Sequence, residues 1–180
     1  LEDEDVDIAI DLNGHSIDRK LTSATDDGHV FWVYGSTLTI YDSSEAQTGK
    51  ITGAYSDEEG GAFYIRYEDS KVYIKGGTIC GNKAEKGGAF FVYNGSLYIE
   101  GGTITDNIAV NGGGIYWESN NKFFLTGGQI TGNMATEHGG GAYLTDVGTI
   151  KKVDVADKMI IMDSGMKIDM GQIVGIEIIK

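Results

Sequence analysis

The chain has 180 residues, of which 28 are glycine and none is proline, and 27 acidic against 14 basic residues give a formal net charge of −13. Collagen needs abundant proline, and a disordered glycine-rich linker would not contain 41% hydrophobic residues, so both are excluded. The acidity argues against nucleic acid or an anionic membrane surface as a partner, since both attract clustered lysine and arginine.

The first predicted element is a cap coil over residues 1–20. Apolar residues alternate with polar or small ones from Val6 to Leu12, and the turn Asn13-Gly14-His15 follows. Alternation with a period of two predicts a half-buried strand. The chain opens on Leu1 without an initiating methionine, so we interpret it as a piece of a longer protein whose signal and anchor lie elsewhere.

The regular part, residues 21–150, repeats a unit that holds three strand-like runs. One block begins with Gly-Gly and ends in asparagine, at 76–82, 101–107 and 127–133. Another Gly-Gly block precedes alternating large side chains and begins at Gly60, Gly87, Gly112 and Gly139. Short apolar runs lie at 38–40, 72–74, 97–99 and 123–125. The repeat length of about 26 residues is too short for a propeller blade.

Three short strands per repeat, each stacking on its copy in the next repeat, predict an all-β fold, a parallel β-helix formed by one chain. We expect about six to seven coils, with the whole chain, 1–180, as one domain. Crossovers between parallel strands are nearly always right-handed, which favours a right-handed coil. Ile79, Ile104 and Ile130 would form one of its inward ladders.

The final segment, residues 151–180, lacks the Gly-Gly blocks, and we predict an atypical C-terminal exit or cap there. Four methionines have near-helical spacing: Met159, Met162, Met166 and Met170. The turn Asp163-Ser164-Gly165 and the β-branched neighbours favour strands instead. The sequence contains no apolar run of the ~18 residues that a membrane span needs, so we expect no membrane insertion by this segment.

The repeat resembles that of bacterial secreted and cell-surface right-handed β-helix proteins. The similarity lies in Gly101-Gly102-Thr103-Ile104, in Gly112-Gly113-Gly114-Ile115-Tyr116 and in the opening Asp11-Leu12-Asn13-Gly14. Gly87-Gly88-Ala89-Phe90 is similar to the Gly-Gly-Ala-Ile motif of polymorphic outer-membrane proteins, which are autotransported adhesins; their Phe-x-x-Asn motif is absent here. The resemblance covers about residues 6–150 and implies an adhesin-like role outside the cell or on its surface.

Two outward aromatic columns are the candidate ligand-contact surface. Aligned copies of the second Gly-Gly block place one aromatic residue of each coil at the same position: Trp32, Tyr64, Phe91, Tyr116 and Tyr143. The third run supplies a secondary column: Tyr73, Tyr98 and Phe124. Their neighbours in sequence face inward, so we expect exposed rings, one per coil. Exposed apolar strips mark interaction sites, so a glycan or a partner protein could bind there. The interpretation with more support is a column that only stabilises the surface or is covered by a neighbouring domain, and the ligand-contact surface is the hypothesis set against it.

Asn82, Asn107 and Asn133 occupy equivalent positions in successive repeats. We interpret them as a structural ladder, because turn asparagines tolerate a left-handed backbone and can share amide hydrogen bonds between coils. The alternative is a polar binding stripe.

From the remaining polar residues we expect no catalytic site, no cofactor site and no resident metal site. His15, His29 and His138 fall in separate turns, and a full lyase or galacturonase motif set is missing. Adventitious Ca²⁺ could bind the acidic runs Asp3-Glu4-Asp5 or Asp57-Glu58-Glu59. We expect Arg66, which precedes Tyr67-Glu68-Asp69, to form a surface ion pair.

The sequence therefore predicts a non-enzymatic, adhesin-like or structural module that is secreted or lies on the cell surface. The alternative is a polysaccharide lyase or glycoside hydrolase on a β-helix scaffold. Ice or mineral binding through outward threonines has less support, because Cys80 and Gln129 interrupt the threonine rows. Ligand identity and oligomeric state stay open.

Overall fold

The repeats form successive coils of a parallel β-solenoid with about five turns. The computed structural model describes residues 6–119 and 121–145, together with the backbone of four further strands between 150 and 178. Its strands are three or four residues long in most cases, because each is closed by a turn before the chain bends toward the next side of the coil.

The strands follow one another around the coils in a fixed order. The first coil contains β1 (Asp7–Asp11), β2 (Ser16–Asp18) and β3 (Phe31–Tyr34). The second contains β4 (Thr37–Tyr41), β5 (Lys50–Thr52) and β6 (Phe63–Arg66). The third contains β7 (Lys71–Ile74), β8 (Thr78–Cys80), β9 (Lys83–Lys86) and β10 (Phe90–Tyr93). The fourth contains β11 (Ser96–Ile99), β12 (Thr103–Thr105), β13 (Ile108–Asn111) and β14 (Ile115–Glu118). The fifth contains β15 (Phe123–Leu125), β16 (Gln129–Thr131), β17 (Met134–His138) and β18 (Ala142–Thr145).

Equivalent strands of successive coils pair in parallel and build four sheets along the solenoid. Sheet 1 has the order β1-β4-β7-β11-β15, and sheet 2 has the order β2-β5-β8-β12-β16. Sheet 3 is β9-β13-β17, and sheet 4 is β3-β6-β10-β14-β18. Residues one coil apart are direct register partners, so every column proposed from the sequence can be tested against the pairing.

The structure differs from the sequence prediction in two respects. Coils three to five have four strands instead of three, and the additional strands form sheet 3. The sequence did not predict sheet 3, because a segment such as Lys83-Ala84-Glu85-Lys86 has no large apolar side chain to indicate a strand. The coil count is about five rather than six to seven. The first two coils are longer than the repeat, since the register partner of Asp7 is Thr37 and that of Thr37 is Lys71.

The predicted inward ladders are confirmed. Ile79, Ile104 and Ile130 are fully or almost fully buried, as are the alternate residues of sheets 1 and 4 in the central coils. Phe63 and Phe90 stack inside the solenoid with their ring centroids 4.6 Å apart. Burying each such side chain contributes about 1.5–3 kcal/mol, and no single coil could enclose them alone.

The C-terminal part of the chain leaves the parallel pattern. Strands β19 (Ile150–Asp154), β20 (Met159–Met162) and β21 (Lys167–Asp169) pair antiparallel, whereas β22 (Ile176–Ile178) pairs in parallel with β18 and extends sheet 4. The strand prediction around Met159 is thus confirmed, while Met166, Met170 and the turn at 163–165 lie outside the described residues. No helix in the described part of the chain has the length and apolar character of a membrane span.

Candidate functional site

The primary aromatic column is in register along sheet 4. Trp32 pairs with Tyr64, Tyr64 with Phe91, Phe91 with Tyr116, and Tyr116 with Tyr143. Successive ring centroids lie 5.6, 5.3, 5.5 and 5.2 Å apart along the column. These spacings are those of favourable aromatic pairs, so the rings stabilise one another from coil to coil.

The centre of this column is covered, which corrects the expectation of one exposed ring per coil. Phe91 is only 2% exposed and Tyr116 9%, whereas Trp32 at the N-terminal end is 38% exposed. The Lys86 side chain lies across both central rings, with its Nζ 5.9 Å from the Phe91 centroid and 5.7 Å from that of Tyr116. Only the ends of the column therefore offer ring surface to a ligand.

A glycine turn explains the cover. The residue four positions before each ring in coils two to five is a glycine with φ between +63° and +68°: Gly60, Gly87, Gly112 and Gly139. This left-handed backbone, which glycine adopts without steric cost, turns the chain so that the preceding residue lies beside the ring. The residues directly before three of these glycines are Glu59, Lys86 and His138. The Lys86 Nζ lies 3.0 Å from Glu59 Oε1, and the His138 ring stacks on Tyr143.

The first coil lacks this turn, and a cleft lies there instead. Gly28, four residues before Trp32, does not have a positive φ, and sheet 3 has no strand in this coil, where its pairing continues only as the single bridge between Thr25 and Ser56. His29 stacks on the Tyr64 ring at 5.9 Å and meets the Trp32 ring edge-on at 5.8 Å. The cleft beside these rings has a volume of about 160 Å³.

Charged side chains surround the aromatic wall of the cleft. Its lining includes four carboxylates and one guanidinium: Asp26, Asp27, Glu58, Glu59 and Arg66. Arg66 lies over the Tyr67 and Tyr93 rings, at 5.3 and 6.0 Å from their centroids. The expected Arg66 ion pair is not formed with any residue in the described ranges, where Lys75–Glu100 and Lys86–Glu59 are the pairs within 4.0 Å.

Burial and neighbouring charge shift the titration of the groups around the cleft. Desolvation lowers the pKa of His29 below its usual value, although the nearby Asp27 carboxylate opposes the change. The imidazole is therefore neutral at pH 7, and its buried Nδ1 has no hydrogen-bond partner among the described residues. Desolvation and then the Glu59 carboxylate raise the pKa of the Tyr64 phenol, which keeps its proton.

The secondary column is in register along sheet 1. Tyr73 pairs with Tyr98, and Tyr98 pairs with Phe124. The rings stack almost in parallel, with centroids 4.4 Å and 5.4 Å apart. All three side chains are half-buried, so this column is more evenly accessible than the primary one.

The structure joins Asn82, Asn107 and Asn133 into one hydrogen-bonded row. The Asn107 Oδ1 accepts the Asn82 amide at 2.9 Å, and the Asn133 Oδ1 accepts the Asn107 amide at 2.9 Å. The left-handed backbone expected at the asparagines lies one residue earlier, at Gly81, Asp106 and Gly132. Asn82 and Asn107 are fully buried, so neither can meet a ligand.

The described residues do not place three or more His, Cys, Asp or Glu side chains where they could hold a metal ion. Asp3-Glu4-Asp5 lies outside the described residues, and Glu58 and Glu59 of the other acidic run line the cleft. His15 lies in the turn between β1 and β2 and His138 lies in coil five, and neither lines the His29 cleft.

Sequence reasoning did not assign His29, Glu59 or Lys86 to the aromatic column. The signal that could have found Glu59 and Lys86 is their position five residues before a column ring and directly before a glycine. For His29 there is no repeat signal, because coil one departs from the pattern at this point.

Comparisons with protein-family models, curated proteins and solved structures find no match to the chain. The fold itself places the protein in the class of parallel β-solenoids, and within that class the surface chemistry carries any functional argument.

Proposed function

We propose that the protein is a non-enzymatic glycan-binding module of a secreted or cell-surface protein. A sugar ring would pack against the Trp32 indole in the cleft at the N-terminal end of the primary column, because the Tyr64 ring already stacks on Phe91 and His29. The observation that carries this proposal is the exposed Trp32 indole, held edge-on to Tyr64 with centroids 5.6 Å apart, at the N-terminal end of the column, where a cleft adjoins the rings.

The lining of the cleft suits a carbohydrate. Aromatic faces pack on the apolar C–H faces of pyranose rings, and a few convergent polar groups then fix the orientation of a bound molecule. Carboxylates such as Glu58 accept hydrogen bonds from sugar hydroxyls, and the Arg66 guanidinium donates them. Because the rings are braced by neighbouring coils, little side-chain entropy would be lost on binding.

The charge of the cleft limits the class of glycan. Four carboxylates face one guanidinium in its lining, so a uronate or sulfated sugar would meet like charge. We therefore propose a neutral or amine-bearing glycan. The repeats' resemblance to bacterial surface β-helix proteins supports the adhesin-like role and the extracellular location.

The test is a binding titration with four hexasaccharides, built of glucose, mannose, N-acetylglucosamine and galacturonate. Trp32→Ala should weaken binding of a neutral hexasaccharide about tenfold or more, the effect of one lost aromatic contact. Tyr41→Ala is the matched control, since Tyr41 is 37% exposed but lies outside the cleft. Equal binding by both variants, or a preference for galacturonate, would contradict the proposal.

A second candidate function is hydrolysis or lysis of a polysaccharide in the same cleft. The observation that favours it is the set of carboxylates there, because glycoside hydrolysis needs two carboxyl groups on opposite sides of the scissile bond. Release of reducing ends from a bound hexasaccharide, lost in both Glu58→Gln and Glu59→Gln, would establish this function. Binding without product release favours the non-enzymatic module.

A further inference from the structure

We propose a second sugar-binding site on sheet 1, in the groove where the secondary aromatic column stops at Tyr73. The proposal rests on the proposed function for its ligand class, a neutral glycan, but uses none of the residues of the Trp32 cleft. Three observations carry it: the register of the column, the orientation of the Tyr73 ring, and the polar side chains of the groove.

The register shows that the column of rings is shorter than the row of positions it occupies. Along sheet 1 the successive partners are Ala9, Thr39, Tyr73, Tyr98 and Phe124. Coils three to five thus present aromatic rings, while coils one and two present small side chains. The smaller side chains of coils one and two leave a depression beside Tyr73. It is two strands wide, and adjacent strands are about 4.8 Å apart.

The Tyr73 ring is oriented so that one of its faces looks along this depression. It lies 9° from parallel to the Tyr98 ring at a centroid distance of 4.4 Å, so the two rings stack along the solenoid axis. The opposite face of Tyr73 is therefore directed toward coil two, where Thr39 is the register partner. Lys75, whose Nζ is 5.8 Å from the Tyr73 centroid, forms an ion pair with Glu100 of coil four at 3.5 Å.

The groove on this side has a volume of about 640 Å³, which lies in the range of small-molecule sites. Ala9, Thr39 and Tyr73 line it, and Thr37 and Lys71 form the parallel row beside them. Asp7 and Asp69 add carboxylates. One flat ring face, hydroxyls, an ammonium and two carboxylates form a set that can stack on a pyranose and bind its hydroxyls.

The experiment uses a substitution that extends the aromatic column. Thr39→Phe places a ring next to Tyr73 at the spacing of the existing column, so it should fill the groove without disturbing the fold. Tyr73→Ala removes the stacking face instead. Both are compared with Trp32→Ala, which affects only the cleft, and with Tyr41→Ala as the exposed control. The probes are neutral trisaccharides of glucose, mannose and N-acetylglucosamine, and their binding is measured by calorimetry and NMR.

The expected result is two sites in the wild type. Thr39→Phe and Tyr73→Ala should each abolish one site or weaken it about tenfold or more, leaving the site that Trp32→Ala removes. One site that is lost in Trp32→Ala and unchanged in Thr39→Phe overturns this inference and leaves the proposed function standing. One site lost only in Thr39→Phe supports the groove and overturns the cleft. Absence of binding by every trisaccharide overturns both. An unchanged thermal unfolding temperature in Thr39→Phe shows that a lost site reflects a filled groove.

Discussion

Asn82 and Asn107 are joined twice across the gap between consecutive coils. The Asn107 Oδ1 accepts the backbone N–H of Asn82 at 3.1 Å and also its side-chain amide at 2.9 Å. The Asn107 amide in turn donates to the carbonyl of Ile79 at 2.9 Å. Each asparagine thus satisfies backbone groups of its own turn and of the adjacent coil, in a place that water does not reach.

Replacing Asn107 by alanine should destabilise the protein strongly. Asn107→Ala leaves buried donors and acceptors of two coils unpaired, and we expect a loss of about 3 kcal/mol in the free energy of unfolding, measured by urea denaturation. Asn133→Ala, at the more open end of the row, should cost less, because water can reach the groups it leaves. Equal losses in the two variants would show that burial does not set the cost.

The glycine turn beside the primary column should not accept a side chain at Gly112. Its φ is +64°, and an added Cβ would lie 2.4 Å from the Ile115 carbonyl oxygen. Gly112→Ala should therefore cost about 2 kcal/mol or more, in part from the left-handed backbone. Gly141→Ala is the control, since Gly141 has no positive φ and corresponds in the repeat to Ala62 and Ala89. Similar unfolding temperatures for both variants would contradict the explanation.

Inward and outward aromatic side chains should differ in how much they contribute to the free energy of unfolding. Phe90 is fully buried against Phe63, so Phe90→Ala should lower the free energy of unfolding by about 3–5 kcal/mol. Phe124→Ala removes a half-buried outward ring and should have a clearly smaller effect. Chemical denaturation of the two variants compares the inner ladder with the outer column directly.

The Asp42 carboxylate should make the solenoid sensitive to acid. Burial acts to raise its pKa, but hydrogen bonds from Ser44, Gly49 and Gly14 outweigh it and lower the pKa to about 2 from 3.8. Because the folded pKa is the lower one, the stabilisation is present above about pH 4 and is lost as the pH falls through 2. The Gly49 N–H donates to Oδ2 at 2.7 Å and the Gly14 N–H to Oδ1 at 2.9 Å, tying the turns of coils one and two together.

Asp42→Asn should thus unfold at a lower temperature than the wild type at pH 6, with the difference shrinking toward pH 2. Glu45→Gln, in the same loop and exposed, makes the same charge change without these bonds and should behave like the wild type. A constant difference for Asp42→Asn across this pH range would exclude the carboxylate as its cause.

His29 should titrate below 6.5, because desolvation between the Trp32 and Tyr64 rings disfavours its charged form. Removing the opposing attraction in Asp27→Asn should lower its pKa further, as followed by NMR of the imidazole. Glu45→Gln is the remote control. A pKa that rises in Asp27→Asn would show that this carboxylate does not act on His29 as the geometry requires.

The repeat pattern determined most of the fold. The Gly-Gly blocks and the alternating runs identified sheets 1, 2 and 4, because a strand with one buried face must carry large apolar residues at every second position. The same alternation placed Trp32 and Tyr64 in one outward column and Phe63 and Phe90 inside. Sheet 3 escaped prediction because its strands contribute little to the apolar core and therefore carry no such signal.

The accessible surface was decided by the tertiary structure. A run such as Phe90-Phe91-Val92 does not indicate that its outward ring is covered. The cover comes from Lys86, which a glycine turn brings over the sheet. The cleft and the groove likewise depend on coils that break the repeat: His29 in coil one, and Ala9 and Thr39 beside Tyr73. Repetition can be recognised from sequence because each coil must stack on the next. The two proposed sites lie where that repetition ends, and their shapes depend on which side chains meet there.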